Sequence, residues 1–234
     1  MCNASLQQSK LPASSKKAIF RPLLKKQTLD QNDPSTYRPM SNQSFVSKIV
    51  ERVVDARFSK HTAKHTLIPV FQSAYRPFHL TETAVACVMN DLIKAVDQGH
   101  VGALMLLDLS AAFDSVDHTI LNDVMLRCFG VSGWFSEGPD TGVRACSRES
   151  ISVTLESGVP QGSALEPKQF IQYAEDITRV LEKHELLYHL FANDTQGKLH
   201  GPPADVPRIA STLTNCFTDV SHWCAAKRLQ LNAS

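Results

Sequence analysis

Ala103-Leu104-Met105-Leu106-Leu107, followed by Asp108, is a continuous apolar run that ends in a carboxylate. Such a run is typical of a β-strand that is covered on both faces. A second carboxylate, Asp194, lies in a short turn between the apolar segments 186–191 and 196–199, a pattern that predicts a β-hairpin. An unpaired carboxylate at the end of a buried strand is costly, so both residues are candidates for a functional role.

Carboxylates at two neighbouring strand ends are suited to Mg²⁺, which favours oxygen ligands and retains waters for substrate phosphates. Two such ions about 4 Å apart can activate an attacking hydroxyl and stabilise a leaving pyrophosphate. The spacing of Asp108 and Asp194 alone leaves a plainer alternative open, in which each carboxylate caps a strand or a turn.

The rest of the chain predicts a mixture of helices and strands. Apolar residues at helical spacing predict helices over 44–59, 81–96, 118–129, 169–183 and 204–226. Residues 151–155 alternate as in a strand, and a glycine-containing turn follows at 158–163. Residues 1–43 and 132–150 are rich in Pro, Gly, Ser or charge and predict irregular chain.

The composition is that of a soluble globular protein. Of 234 residues, 43% are hydrophobic and 20% are charged, and no apolar run approaches the ~20 residues that span a bilayer. The six cysteines are scattered without metal-binding spacing, which indicates reduced thiols rather than a disulfide framework. We therefore predict an intracellular protein, cytoplasmic or nuclear, with no membrane partner.

The net charge of +1 conceals an uneven distribution. Residues 1–64 carry 12 Lys and Arg against 4 Asp and Glu, whereas the remaining residues carry 12 against 19. A basic first third favours contact with phosphates, and an acidic remainder suits carboxylates gathered around metal ions. A solvated, charged N-terminal surface explains the same counts, and the charge alone does not separate the two interpretations.

Five sequence motifs follow one another along almost the whole chain. They are Tyr37-Arg38-Pro39-Met40-Ser41, Gln72-Ser73-Ala74-Tyr75-Arg76-Pro77, Leu107-Asp108-Leu109-Ser110-Ala111-Ala112-Phe113-Asp114, Gly158-Val159-Pro160-Gln161-Gly162-Ser163 and Phe191-Ala192-Asn193-Asp194-Thr195-Gln196. In this order they resemble the two fingers motifs, the first catalytic motif, the template-positioning turn and the catalytic hairpin of the reverse transcriptases of non-LTR (LINE-type) retrotransposons.

The resemblance implies an α+β fold of the reverse-transcriptase palm-and-fingers type. An antiparallel palm sheet would be covered by helices on one face, and the thumb would be absent. The expected organisation is a basic irregular N-terminal segment over 1–43 and a fingers/palm domain over 44–234, truncated at its C-terminus. No endonuclease portion is expected before it. The implied activity is RNA-directed DNA polymerisation, with an RNA template, a DNA primer and dNTPs as partners and no known protein partner.

The resemblance also implies roles for individual residues. Asp108 would bind both of two Mg²⁺ ions, together with the catalytic hairpin at positions 193 and 194. Phe113 would be the bulky ring beneath the sugar that excludes a 2′-hydroxyl by steric clash.

Four further residues would contact substrate. Gln161 and Gly162 would contact the templating pair, with glycine allowing close backbone approach. Arg38 and Arg76 would meet phosphates of the template or the incoming nucleotide. A solvated surface charge remains the alternative for each arginine.

The sequence departs from the family pattern at several positions. Asn193 replaces the first Asp of the catalytic pair, which leaves two carboxylates, Asp108 and Asp194, where the family has three. The neutral amide predicts weakened Mg²⁺ binding and impaired catalysis. Glu166 stands where the family usually has Gly, and the chain ends shortly after Asn232, before the family's next Lys.

Three interpretations follow from these departures. The chain could polymerise DNA on an RNA template, or it could be a catalytically dead remnant that at most binds RNA or DNA through its basic N-terminal third. It could also be a relic without function. Asn193 and the missing thumb favour the second and third interpretations over the first.

Overall fold

The structure is a computed structural model that describes residues 18–110, 112–131, 140–145, 148–149, 153–154, 157–159 and 161–232. The helices in these residues are α1 (Phe45–His65), α2 (Thr81–Asp97), α3 (His118–Phe129), α4 (Glu166–Tyr173), α5 (Ile177–Lys183) and α6 (Val206–Ala226). The strands are β1 (Ala18–Leu24), β2 (Tyr37–Gln43), β3 (Val101–Leu107), β4 (Leu109–Ser110), β5 (Asp140–Ala145), β6 (Arg148–Glu149), β7 (Val153–Thr154), β8 (Leu187–Phe191), β9 (Asp194–Gly201) and β10 (Gln230–Leu231).

The described residues form two compact units, each built from two separate stretches of chain. The first unit comprises residues up to His65 together with those from Val116 to Gln169, and the second comprises Thr66–Ser115 and the residues from Phe170 onward. Both units mix helices with β-sheet. The α+β class predicted from the sequence is therefore confirmed.

The first unit contains a sheet in the order β2-β1-β5-β6, with β7 also paired to β5. Strands β1 and β2 are antiparallel from Ala18↔Gln43 to Leu24↔Tyr37, so the prediction of irregular chain over 1–43 is wrong for this part. Two prolines face each other in this ladder, Pro22↔Pro39. A directly opposed pair in an antiparallel ladder exchanges either two hydrogen bonds or none, and two residues without N–H groups fit the second kind.

Strand β5 pairs in parallel with β1 and lies within the segment predicted as loop, 132–150, so that prediction is wrong for residues 140–145. Residues 1–17 and 132–139, which share the prediction of irregular chain, lie outside the described residues.

Helices α1 and α3 contribute apolar side chains to the core of the first unit. Phe58 and Phe129 are both buried, and their ring centroids lie 5.9 Å apart. Helix α3 begins at an Asp117 side chain that accepts hydrogen bonds from the N–H groups of the first turn, and it ends at Gly130 in the left-handed conformation. Both are standard signals for the start and end of a helix, and the predicted helix over 118–129 is confirmed.

The second unit contains an antiparallel sheet in the order β3-β9-β8. Strand β3 pairs with β9 from Val101↔Gly201 to Leu107↔Thr195, and β8 pairs with β9 up to Phe191↔Asp194. The predicted hairpin and the predicted position of the Asp108 strand beside it are both confirmed. A separate two-stranded ladder joins β4 to β10, with Leu231↔Leu109 in register.

Helices pack on both faces of this sheet, which corrects the expectation of helices on one face. A Cβ added at Gly201 would lie 3.5 Å from Ile209 of α6, whereas one added at Gly102 would lie 3.0 Å from Leu92 of α2. Gly201 is paired with Val101, and successive residues of a strand point to opposite faces. Gly102 and Gly201 therefore mark opposite faces of the sheet.

Strand β3 is not covered on both faces along its length, contrary to prediction. Leu107 is buried, but Leu106 is 68% exposed and Leu104 is 39% exposed. Both exposed residues share the face of Gly102, because alternate residues of a strand point the same way. Helix α2 therefore covers only part of that face, and the apolar run gave no sign of which positions remain open.

Candidate active site

Asp108 and Asp194 lie at adjoining ends of two paired strands. Asp108 follows directly after β3, Asp194 begins β9, and the last pair of that ladder is Leu107↔Thr195. Partial burial raises the pKa of Asp194, and the negative charge of Asp108 raises it further. The two carboxylates predicted to act together are thus close enough to influence one another electrostatically.

The turn between β8 and β9 consists of Ala192 and Asn193, because Phe191 and Asp194 are register partners. Ala192 has a φ of 56°, in the left-handed region that few residues other than glycine adopt readily. Its backbone N–H donates a hydrogen bond to Oε1 of Gln72 at 3.2 Å. Gln72 thereby supports the turn that presents Asn193.

Both carboxylate oxygens of Asp108 accept hydrogen bonds from asparagine amides. Nδ2 of Asn193 donates to Oδ1 at 2.9 Å, and Nδ2 of Asn232 donates to Oδ2 at 3.0 Å. The backbone N–H of Asn232 also donates to the Asp108 carbonyl at 2.9 Å. We call Asn193, Asp108 and Asn232 the amide clasp.

The donor chemistry of this site differs from that of a two-ion centre. A divalent ion needs oxygen ligands, yet Asn193 presents an N–H donor to Asp108, and both oxygens of Asp108 are engaged by amides. Within the described ranges, no group of three or more His, Cys, Asp or Glu side chains is placed to hold a metal ion. The residues in this arrangement do not fit a pair of Mg²⁺ ions.

Phe113 belongs to the same unit as Asp108. Its ring centroid lies 4.9 Å from that of Phe170, with the planes inclined at 48°. Tilted aromatic pairs at this separation are favourable, so the ring is held by a contact within the protein. Its proposed exclusion of a 2′-hydroxyl stays a prediction.

Gln161 and Gly162 lie in the first unit, in the turn predicted at 158–163. The Gln161 carbonyl accepts a hydrogen bond from the Ser41 N–H at 2.7 Å. Gly162 has a φ of 96°, and a Cβ at this position would lie 3.3 Å from the Ser41 carbonyl oxygen. The turn therefore requires glycine on both conformational and steric grounds.

Two glutamates stabilise this turn. Oε2 of the buried Glu51 accepts hydrogen bonds from Oγ of Ser163 at 3.0 Å and from the Ala164 N–H at 3.1 Å. Oε2 of Glu166 accepts a hydrogen bond from the Gly162 N–H at 2.6 Å. Glu51 was not predicted from the sequence, although a carboxylate three positions before Val54, on the buried side of α1, was a usable signal.

The two arginines occupy different settings. Nη1 of Arg76 donates to the carbonyls of Val70 and Gln72, at 2.8 Å and 3.1 Å, so part of its guanidinium shapes its own loop. Arg38 is an exposed residue of β2, opposite Leu23 in the ladder. Phosphate contacts by either arginine stay predictions.

The sequence matches the family model of reverse transcriptases (RNA-dependent DNA polymerases) over residues 24–234. The chain belongs to the reverse transcriptase family. Its predicted place among the non-LTR, LINE-type enzymes is confirmed by its relatives, which are polymerases of Drosophila transposons and mobile elements.

Two of these relatives show the extent of the likeness. The chain is 28% identical over 212 residues to the probable RNA-directed DNA polymerase from transposon BS of Drosophila melanogaster. The aligned region covers 86% of the chain and 23% of the relative. It is 30% identical over 173 residues to the RNA-directed DNA polymerase from mobile element jockey of the same species. That aligned region covers 70% of the chain and 19% of the relative. The chain thus spans about a fifth of the length of these curated relatives.

A solved structure supports the fold. Apo telomerase from Candida tropicalis, truncated from its C-terminal domain, superposes with a TM-score of 0.54 at 12% identity, over 87% of this chain and 47% of that one. The likeness at this identity concerns the fold. Among the described residues, none of the helices is both long and apolar enough to cross a membrane.

Proposed function

We propose that this chain is the fingers and palm portion of a LINE-type RNA-directed DNA polymerase in which nucleotidyl transfer is impaired. The second unit, with Asp108 and Asp194, corresponds to the palm, and the first unit, with Gln161 and Gly162, corresponds to the fingers. The substrates would be an RNA template, a DNA primer and dNTPs. Family membership and the similarity to transposon polymerases support the activity class.

The hydrogen bond from Asn193 to Asp108 carries the proposal of impairment. Transfer by two metal ions needs carboxylates that hold both cations against the charge of a triphosphate. Here an amide takes the place of one carboxylate and donates to another, so the site has less negative charge and fewer free oxygen ligands. Each ~1.4 kcal/mol of lost transition-state stabilisation lowers the rate tenfold.

Primer extension tests this proposal. The unmodified chain, Asn193→Asp and Asp108→Ala would be compared on a poly-A/oligo-dT hybrid with Mg²⁺ or Mn²⁺, and Mg²⁺ affinity would be measured by calorimetry. We expect no extension by the unmodified chain and tighter Mg²⁺ binding by Asn193→Asp, because the third carboxylate is restored. Robust extension by the unmodified chain that Asp108→Ala abolishes would contradict the impairment.

A second candidate is a non-enzymatic protein that binds nucleic acid through its basic first third. Arg21, Lys25 and Lys26 are exposed residues in and after β1, which favours this candidate. Binding through them should weaken steeply as salt rises and show little sequence preference. Replacing Lys16, Lys17, Lys25 and Lys26 by Ala should flatten the salt dependence, and an unchanged slope would place the binding surface elsewhere. Lys16 and Lys17 lie outside the described residues.

A further inference from the structure

Phe78 is the most exposed large apolar side chain among the described residues, with 99% of its surface accessible. It also has a φ of 65°, in the left-handed region where a bulky residue is a genuine outlier. Tyr75, three residues earlier, has a φ of 58° and is 54% exposed. A conformation of this kind persists only where the surrounding structure determines it, and such residues cluster at binding sites.

The loop that carries Phe78 is fixed by hydrogen bonds on both sides. Before Phe78, Nη1 of Arg76 donates to the Val70 and Gln72 carbonyls. After it, the His79 N–H donates to the Arg76 carbonyl at 3.3 Å, and Nδ1 of His79 lies 2.9 Å from the Pro77 carbonyl oxygen. The exposure of Phe78 is therefore a property of a defined loop.

This loop is joined to the strand that leads into the catalytic hairpin. Gln72 forms a parallel bridge with Leu190, and the Ser73 N–H donates to the Leu190 carbonyl at 2.9 Å. Oε1 of Gln72 accepts from the Ala192 N–H, one residue before Asn193. The loop and the candidate active site thus belong to one connected part of the second unit.

The charge around Phe78 favours an anionic partner. Residues 66–81 include Arg76 and His79 but no Asp or Glu, and the next carboxylate, Glu82, lies in the first turn of α2. An exposed aromatic ring two residues after an arginine suits a nucleic-acid base with its phosphate, because bases stack on such rings without regard to sequence. An apolar protein partner would make no use of the arginine.

We propose that Phe78 is a stacking platform for an unpaired base of a single-stranded RNA. This inference rests on the proposed function, because it places the RNA template on the unit that carries Asp108. It adds a contact that the sequence motifs did not indicate, since Phe78 lies just beyond the motif that ends at Pro77.

Fluorescence anisotropy with a short labelled uridine-rich RNA and an abasic RNA of equal length tests the platform. Stacking by a single base is worth enough for Phe78→Ala to weaken binding about tenfold. The loss should be confined to the RNA that carries bases, and the salt slope should not change, because stacking releases no counterions. Phe78→Trp should retain affinity, and its fluorescence should be quenched by RNA.

Phe217→Ala is the matched control, because Phe217 is a 49% exposed phenylalanine of the same unit, on α6. It should bind both RNAs as the unmodified chain does. Equal affinities of Phe78→Ala and the unmodified chain, or an equal loss on abasic RNA, would overturn the platform, as would no RNA binding by the unmodified chain. Loss of self-association with unchanged RNA affinity would assign Phe78 to a protein contact instead.

Binding is measured separately from polymerisation, so the two proposals fail in distinguishable ways. A base-dependent loss in Phe78→Ala, together with robust extension by the unmodified chain, would retain the platform and remove the impairment. Unchanged RNA binding by Phe78→Ala, with no extension by the unmodified chain, would remove the platform and retain the impairment.

Discussion

The amide clasp of the second unit and the 158–163 turn of the first unit depart from the family pattern in opposite directions. In the clasp, an amide, Asn193, stands where a carboxylate is expected, and it donates to Asp108. Just after the turn, at the start of α4, a carboxylate, Glu166, stands where the resemblance implies glycine, and it accepts from the Gly162 N–H. One departure removes negative charge and the other adds it.

Both departures nevertheless bond to a residue that the family pattern retains. Asn193 engages an oxygen of Asp108 that would otherwise be available to a cation, and Glu166 engages a backbone donor in the 158–163 turn. A hydrogen bond to a charged group contributes about 1.5–3 kcal/mol to stability. We therefore predict that each of the two side chains stabilises the fold by bonding to a group that the sequence predicts to contact substrate or metal.

The largest effect is expected at Glu51, which supports the turn from within the first unit. Glu51→Ala should lower the free energy of unfolding by about 3 kcal/mol, because it leaves the Ser163 hydroxyl and the Ala164 N–H without their acceptor. Urea denaturation measures this loss. Glu51→Gln, which keeps an oxygen acceptor, should lose less, and exposed Asp97→Ala should change little. Equal losses in all three variants would contradict the role of Glu51.

The next effect concerns the clasp. Asn193→Asp should lower the free energy of unfolding by about 2 kcal/mol at neutral pH without Mg²⁺, because a hydrogen bond to Asp108 is exchanged for repulsion. Added Mg²⁺ should restore most of the loss in thermal melts, whereas the unmodified chain should respond little. Asn42→Asp, the same change at an exposed position of β2, should be insensitive to Mg²⁺. An Asn193→Asp variant as stable as the unmodified chain would show that the clasp adds no stability.

A smaller effect is expected at Glu166. Glu166→Ala should lower the free energy of unfolding by about 1 kcal/mol and speed amide hydrogen exchange at Gly162, because the charged acceptor of that N–H is removed. Glu166→Gln should retain part of the protection through its amide oxygen. If hydrogen exchange at Gly162 is the same in the unmodified chain and in both Glu166 variants, Glu166 does not stabilise the turn as Asn193 is predicted to stabilise the clasp.

The smallest effect is the pH dependence of the carboxylate beside the clasp. The pKa of Asp194 is raised above 3.8 by partial burial and by Asp108, so its ionised form is disfavoured in the folded state. Its contribution to stability is present below pH 3.8 and is lost as the pH rises through the raised pKa. Asp194→Asn should therefore be slightly more stable than the unmodified chain at pH 7 and not at pH 3.

Asp219 provides a control of opposite sign. Hydrogen bonds from Lys183 and His184 lower its pKa below 3.8, so its contribution is present at neutral pH and is lost as the pH falls through that lowered pKa. Asp219→Asn should be less stable than the unmodified chain at pH 7. Thermal melts across pH would show whether the two Asn variants diverge in opposite directions, and parallel curves would contradict the assigned environments.

The parts of the fold that depend on neighbouring residues were predictable from the sequence. Helix α3 has its start and stop signals in Asp117 and Gly130, and the β8–β9 hairpin closes over two residues. The parallel pairing of β1 with β5 joins residues about 120 positions apart and has no local signal. Likewise, the predicted helix over 169–183 is two helices, α4 and α5, separated at Ala174–Asp176 without a proline or glycine to mark the break.

In the candidate site, too, features with a local sequence signal were predictable and contacts between distant residues were not. Asp108, Asn193 and Asp194 were identified because motifs surround each of them. The bonding of Asn232 to Asp108 spans 124 positions, and that of Gln72 to Ala192 spans 120. Both depend on tertiary placement: Asn232 has no motif around it, and Gln72 belongs to a motif that does not indicate its bond to Ala192.

The two units are interleaved along the chain, which passes from one to the other after His65, Ser115 and Gln169. No single cut yields either unit whole, since each needs two stretches with a stretch of the other between them. Pairing of β3 with β9 closes a long loop of intervening chain, which includes α3, α4 and α5. The entropy of closing a flexible loop grows only with the logarithm of its length, about 0.6 kcal/mol per doubling. Lengthening that loop should therefore change equilibrium stability little, whereas distant pairings of this kind make folding slow. A longer segment between Leu107 and Asp194 would therefore leave the ladder almost as stable, while slowing the step in which Asp108 meets Asn193.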